Sequence, residues 1–162
     1  MAWEVLVVES AVCALISRNK LSTGQWREIV TTAHRCGIPT TSTLMLMIVN
    51  TQKVKPEDAP KNWTDLLDPK WAGKMVKAHP AYSGTIMNAT FQIARDLGWD
   101  YLEKLAKQRV LQVQSATDTP KKIALGERAI MIDGAGYLVI RNKEAGQPVD
   151  VIYPAEGTPV AT

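Results

Sequence analysis

Three short stretches carry side chains that can hold a small polar or anionic solute. The first is Tyr82-Ser83-Gly84-Thr85, which leads directly into a helical pattern over residues 84–97. A hydroxyl at Ser83 or Thr85 can satisfy an orphan amide of that helix. Gly84 lets a partner come close to the backbone. The exposed N–H groups and the dipole at a helix start also suit an anion. The second stretch is "SATDTPKK", another helix start, where Ser115, Thr117 and Asp118 can face the same space. The third follows the apolar run "RAIMID": Asp133 and Tyr137 flank Gly134 and Gly136. In an open α/β sheet, ligands bind in the loops beyond strand ends. The same residues also read as two plain helix caps and a glycine-rich turn, with Asp118 merely complementing a helix dipole.

Catalytic chemistry has little support. His34 and His79 are the only histidines. One lies in a helical pattern and the other precedes Pro80. Ser83 has no histidine partner and no GxSxG around it, so no nucleophile–base pair is in view. Cys13 and Cys36 form no CxxC and give no metal-ligand spacing. Both read as small buried apolar residues. "LMLM" reads as strand core. No cofactor and no metal site is expected.

The elements that must position these groups alternate. An apolar helix over residues 3–17 is followed by "STGQWREIVTTAHRCG", a second helix. Ser22 or Thr23 caps it, Trp26, Ile29, Val30 and Ala33 form its stripe, and Gly37 stops it. "IPTTSTLMLMIVN" reads as a strand. After a polar, proline-punctuated connection, "WTDLLDPKW" reads as a short helix ended by Pro69. "GKMVKAHP" is a strand. The helix over residues 84–97 sets Ile86, Ala89, Ile93 and Leu97 on one face. "WDYLEKLAKQ" is a helix, "VLQVQS" a strand, and "TDTPKKIALGE" a helix with Thr119 at its cap and Pro120 in its first turn. "RAIMID" is a buried strand, "GAGYLVIRNKEAG" a helix and "PVDVIYP" a strand. Strands alternating with helices predict an α/β fold.

Composition sets the outer bounds. With 162 residues, 46% of them hydrophobic and 22% charged, the chain can build a core and is not of disordered type. The net charge of +3 is scattered rather than clustered, which argues against a nucleic-acid partner. No apolar run is long enough for a membrane span. The opening "MAWEVLVVESAVCALISRNK" lacks a positive n-region and is interrupted by Glu4 and Glu9, so no export signal is visible in it.

Two resemblances add to this reading. "NTQKVKPEDAPKNWTDLLDPKWAGKMVKAHPAYSGT", "LGWDYLEKLAKQ", "ALGERAIMIDGAGY" and "GQPVDVIYPAEGTPV" follow one another as in bacterial periplasmic solute-binding proteins of ABC importers, family 1, iron(III)-type branch. Residues 48–162 therefore resemble one lobe, the second, of the type II periplasmic-binding-protein fold. "IVNTQK" would enter that lobe and "DVIYPAEGTPV" would leave it. The resemblance implies a ligand-binding role for Tyr82, Ser83, Gly84, Thr85, Thr117, Asp118, Asp133 and Tyr137. It also implies a periplasmic location, an ABC permease as partner, and a small-molecule or metal-chelate ligand: iron(III), or a small anionic or organic solute. Iron-binding members use an adjacent tyrosine pair, whereas Tyr82, Tyr101, Tyr137 and Tyr153 are all separated here.

Residues 1–47 read as a separate helix-helix-strand segment. Within it, "EVLVVESAVCALISRNKLSTGQWREIVTTAHRCGIPTTSTLM" resembles a stretch of the radical-SAM enzymes of deazaflavin and menaquinone biosynthesis. The CxxxCxxC motif of those enzymes is absent, and two cysteines cannot supply three thiolates to a cluster. The expectation is a non-enzyme, a partial or chimeric solute-binding chain. The alternatives are a non-functional fusion fragment and a remnant of the radical-SAM enzyme.

Overall fold

The computed structural model describes residues 23–37 and 43–161. The chain divides into two units, Met1–Ser42 and Thr43–Thr162. In the first, helix α1 spans Thr23–Arg35 and carries Arg35 in its last turn, where a cation complements the dipole. Ile29, expected on an apolar stripe, is exposed, and so is Cys36, expected to be buried. The expected helix over residues 3–17 and the residues before Thr43 in the expected strand lie outside the described residues.

The second unit is built on β1 (Thr43–Asn50), β2 (Met75–Ala78), β3 (Leu111–Val113), β4 (Ile130–Ala135) and β5 (Val149–Ile152). They form one sheet in the order β3-β2-β4-β1-β5. A short β6 (Val160–Ala161), not foreseen from the sequence, pairs with Thr43 and Leu44 at the start of β1. β2 runs parallel to β3 and β4, while β1 runs antiparallel to β4 and β5. The run "LMLMIV" explains why β1 is central. Met45 through Val49 are all at most 4% exposed, so both of its faces are covered. The expected boundary at residues 47/48 falls inside this strand.

Helices cover both sides of the sheet. One side packs Met47, Val49, Met75, Ile130 and Ile132 against Ile93 of α2 (Gly84–Leu97) and against Tyr101 and Leu105 of α3 (Trp99–Lys107). Trp63, Leu66 and Trp71 complete that cluster from the proline-rich connection. There the chain makes two 3₁₀ turns, Thr64–Leu67 and Pro69–Trp71, rather than the expected single helix. The Asp68 carboxylate explains the break: it accepts from the Lys70 amide and restarts the chain just before Pro69. The other side packs Ile48, Val76 and Met131 against Ile123 of α4 (Asp118–Ala124) and Val139 of α5 (Gly136–Glu144). α2 meets α3 through Gly98, whose φ of +83° suits glycine above all other residues.

The outgoing end is tied down. The Trp63 indole donates to the Gly157 carbonyl at 2.9 Å, and the Ala155 amide donates to Lys61 at 3.0 Å. The Tyr101 hydroxyl, 4% exposed, donates to the Trp63 carbonyl at 2.7 Å. Burial, with Glu156 nearby, holds the Tyr101 phenol far above its ordinary range, so it stays a donor.

Candidate solute site at the start of helix α2

The polar residues singled out in the sequence meet at one end of the sheet. A cleft of about 90 Å³ opens there between β1, β4, α2, α5 and the loop before α4. Thr85, Thr117, Asp133 and Tyr137 line it, from three separate stretches of sequence. Met45, Met131 and Leu138 give it an apolar wall.

Each hydroxyl is set by local structure. Ser83, in extended conformation, is the N-cap of α2, and its Oγ accepts from the Ile86 amide at a long 3.5 Å. Ser83 also shares a hydrogen with Thr85 across 2.9 Å, which leaves Thr85 to face the cleft. Gly84 has open space where a Cβ would stand. Just upstream, His79 caps the turn Pro80–Tyr82 by accepting from the Ala81 amide, and its ring meets Tyr82 edge-on at 5.4 Å. Tyr82 is 65% exposed.

The second stretch divides. Ser115 and Thr117 share a hydrogen across 2.7 Å, and Thr117 faces the cleft. Asp118 does not line the cleft; its exposed carboxylate pairs with Lys121 at 3.4 Å. Thr119, expected as the cap, is wholly buried inside the first turn of α4 and donates to the Ala116 carbonyl at 2.8 Å. The cap position belongs to Thr117, which makes no side-chain capping bond.

Asp133 lies within β4, which continues the expected buried strand "RAIMID" through Ala135, and it is completely buried. The register between β1 and β4 shifts here. Leu46 pairs with Gly134 and Ile48 with Met131, so Ile132 and Asp133 stand opposite Met47 alone. Such a bulge breaks strict side-chain alternation and re-aims one residue. Asp133 thereby meets Lys77 of β2 in a buried ion pair through Oδ2. The Lys77 ammonium also donates to the Thr90 hydroxyl of α2 at 2.8 Å. Oδ1 of Asp133 makes no hydrogen bond. Burial pushes the Asp133 carboxyl up to about 6, against the opposing pull of Lys77 and of the Ala78 and Asp133 amides. Gly134 stands beside it, where a Cβ would collide with Ile48 Cδ1 and force that side chain to move.

Tyr137, 58% exposed, sits in the first turn of α5. The cap of that helix is Ala135, which has no side chain to offer its first amides. Two helix starts therefore border the cleft, one weakly capped and one uncapped. Lys77 and Thr90 were missed in the sequence. A lysine inside the short buried strand "MVKA" was the available signal, because a buried ammonium needs a carboxylate partner.

Comparison with known proteins agrees with this geometry. The chain is similar in fold to part of AfuA from Actinobacillus pleuropneumoniae, solved as a periplasmic binding protein with exogenous fructose-6-phosphate bound. The TM-score is 0.67 at 30% identity, over 74% of this chain and 40% of that one. The iron-bound HitA of Pseudomonas aeruginosa shares the fold at 18% identity and TM-score 0.59, over 77% of this chain and 44% of that one. The chain thus spans under half the length of these solved proteins. A short stretch of 39 residues is 54% identical to the 5-amino-6-(D-ribitylamino)uracil–L-tyrosine 4-hydroxyphenyl transferase of Methanothermobacter thermautotrophicus, covering 24% of this chain and 11% of that enzyme. Residues 30–162 match the family described as bacterial extracellular solute-binding protein, and the chain belongs to that family.

Proposed function

We propose that this chain supplies one wall of the solute site in the periplasmic receptor of an ABC-type importer, with an ABC permease as its partner. Its solute is a small hydroxylated organic anion, held by Thr85, Thr117, Asp133 and Tyr137, with Tyr82, Ser83 and Gly84 at the rim. The observation that carries this reading is the cleft itself, where four hydroxyl-bearing residues (Thr43, Thr85, Thr117 and Tyr137) and a buried carboxylate meet beside two helix starts. Helix starts favour the anionic end of a solute, and hydroxyls favour its neutral polar end. The fructose-6-phosphate named for AfuA has both features.

A bare metal ion fits less well. Among the described residues, no three His, Cys, Asp or Glu are grouped to hold one. The role is binding rather than catalysis, since no nucleophile stands beside a base at the cleft. Residues 1–47 are read as a separate segment without cluster chemistry, because Cys13 and Cys36 are too few for it.

Calorimetry of the whole chain against sugar phosphates, phosphonates, polyamines, small carboxylates and iron(III) chelates tests the reading. Binding heat from a sugar phosphate, abolished by Thr85→Val with Thr117→Val, is the expected result. Heat from iron chelates or polyamines alone, or from none of the panel, would overturn it.

A further inference from the structure

The floor of the cleft is chemically lopsided, and the asymmetry has a consequence for what can bind. Asp133 is 0% exposed, yet only one of its two oxygens is satisfied. Oδ2 is held by Lys77, and Lys77 is itself fixed from the other side by Thr90. Oδ1 has no partner although Asp133 lines the cleft. A buried acceptor without a hydrogen costs the full desolvation of that oxygen until something donates to it. Thr43, Thr85, Thr117 and Tyr137 are the other polar groups of the lining, and Thr85 and Thr117 each share one hydrogen with a neighbouring hydroxyl, Ser83 and Ser115.

From this we infer that Asp133 is the specificity-determining residue of the site, its Oδ1 accepting a hydrogen from a neutral hydroxyl of the solute. The inference rests on the solute-binding reading above and deepens it by naming the end of the solute that enters first.

Three kinds of group could enter, and the geometry separates them. A sulfate-like or carboxylate oxygen has no hydrogen to give and would face a carboxylate oxygen in a dry site, so it is excluded from the floor. An ammonium group has hydrogens, but it would approach a carboxylate already neutralised by Lys77 and would meet that cation's field at short range. A hydroxyl supplies the missing hydrogen and carries no charge. The anionic end of a sugar phosphate is then left at the mouth, by the starts of α2 and α5. Lys77 acts as a positioning residue: by occupying Oδ2 it leaves Oδ1 as the carboxylate oxygen without a hydrogen.

Asp133→Asn gives the test, because it reverses the hydrogen-bond polarity of the floor. Lys77 needs an acceptor, so the Asn oxygen stays with Lys77 and the amide NH₂ takes the place of Oδ1. Whole wild-type chain and the variant are titrated with fructose 6-phosphate and with sulfate, read by amide NMR shifts. Loss of the charge-assisted bond should lower the ratio of fructose 6-phosphate to sulfate affinity by about tenfold or more. An unchanged ratio, with both probes bound, overturns the inference while the solute reading stands. If neither probe moves a cleft resonance in the wild type, the solute reading fails and takes the inference with it. Should the variant not fold, the wild-type Asp133 carboxyl is followed by ¹³C NMR. Fructose 6-phosphate must lower its pKa, since a donated hydrogen bond favours the ionised form. A pKa that stays unmoved at saturating fructose 6-phosphate overturns the inference equally.

Discussion

Lys77 on β2 and Asp133 on β4, 56 residues apart in sequence, close a buried ion pair at the floor of the cleft. The pair ties the central strands together at the place where the polar groups gather. Removing one partner leaves the other charge buried and uncompensated. Lys77→Met should therefore cost about 3–5 kcal/mol of folding stability, read by denaturant unfolding. Asp133→Asn should cost less, because Lys77 keeps the Asn oxygen and the Thr90 hydroxyl as acceptors. Equal losses in the two variants would contradict this account of the pair.

Asp133 also sets a pH dependence. Its carboxyl lies at about 6 in the fold against an ordinary 3.8. Between those values the folded chain holds a proton that the unfolded chain has released, so acid favours folding in that window. Relative to Asp133→Asn, the wild type should lose about 2 kcal/mol as pH rises from about 4 to about 6. Asp150 acts with the opposite sign: the hydrogen bond from Lys143 holds it below its ordinary range. It is present in both proteins and cancels in the difference. A flat or rising difference curve, from thermal melts across the window, would contradict the prediction.

Gly134 makes the bulge possible. Its missing Cβ leaves room for Ile48 Cδ1 and for Met131 Sδ, which would lie 2.9 Å from such an atom. Ile48 is 1% exposed, so its displaced end must repack inside the core. Gly134→Ala should cost about 1–3 kcal/mol through overpacking, measured by urea unfolding. A loss below a few tenths of a kcal/mol would mean that β1 and β4 can part without penalty.

The sheet was largely legible because β-branched and apolar runs such as "LMLMIV" and "RAIMID" have no reading other than buried strand. The helix at residues 84–97 was legible from its apolar spacing and its Ser83 start. The site was legible in part. Thr85, Thr117, Asp133 and Tyr137 converge, and Asp118 turns away to Lys121. The bulge at Asp133 was not legible because nothing local marks one; that register is set by β1, more than 80 residues earlier in the chain. Thr119, just before a proline, reads as a cap. The helix starts two residues sooner, and the Thr119 hydroxyl turns inward to Ala116 instead. The exposure of Cys36 follows from tertiary placement, which composition cannot supply.

The tie between Trp63 and the outgoing chain predicts a local effect. Tyr101→Phe removes the hydrogen bond to the buried Trp63 carbonyl and should cost about 1 kcal/mol. Amide exchange should then quicken at Trp63, Ala155 and Gly157 and not in β2 or β4. Uniform quickening across the sheet would contradict a local tie.

The central claim is that the cleft beside α2 holds the solute. Amide-resolved NMR of the whole chain during titration with fructose 6-phosphate tests it most directly. The account predicts saturable shifts that cluster at Ser83, Thr85, Thr117, Asp133 and Tyr137, with the surface by Leu125 and Gln147 unmoved. Saturable shifts confined to that second surface, or none at any concentration, would contradict it.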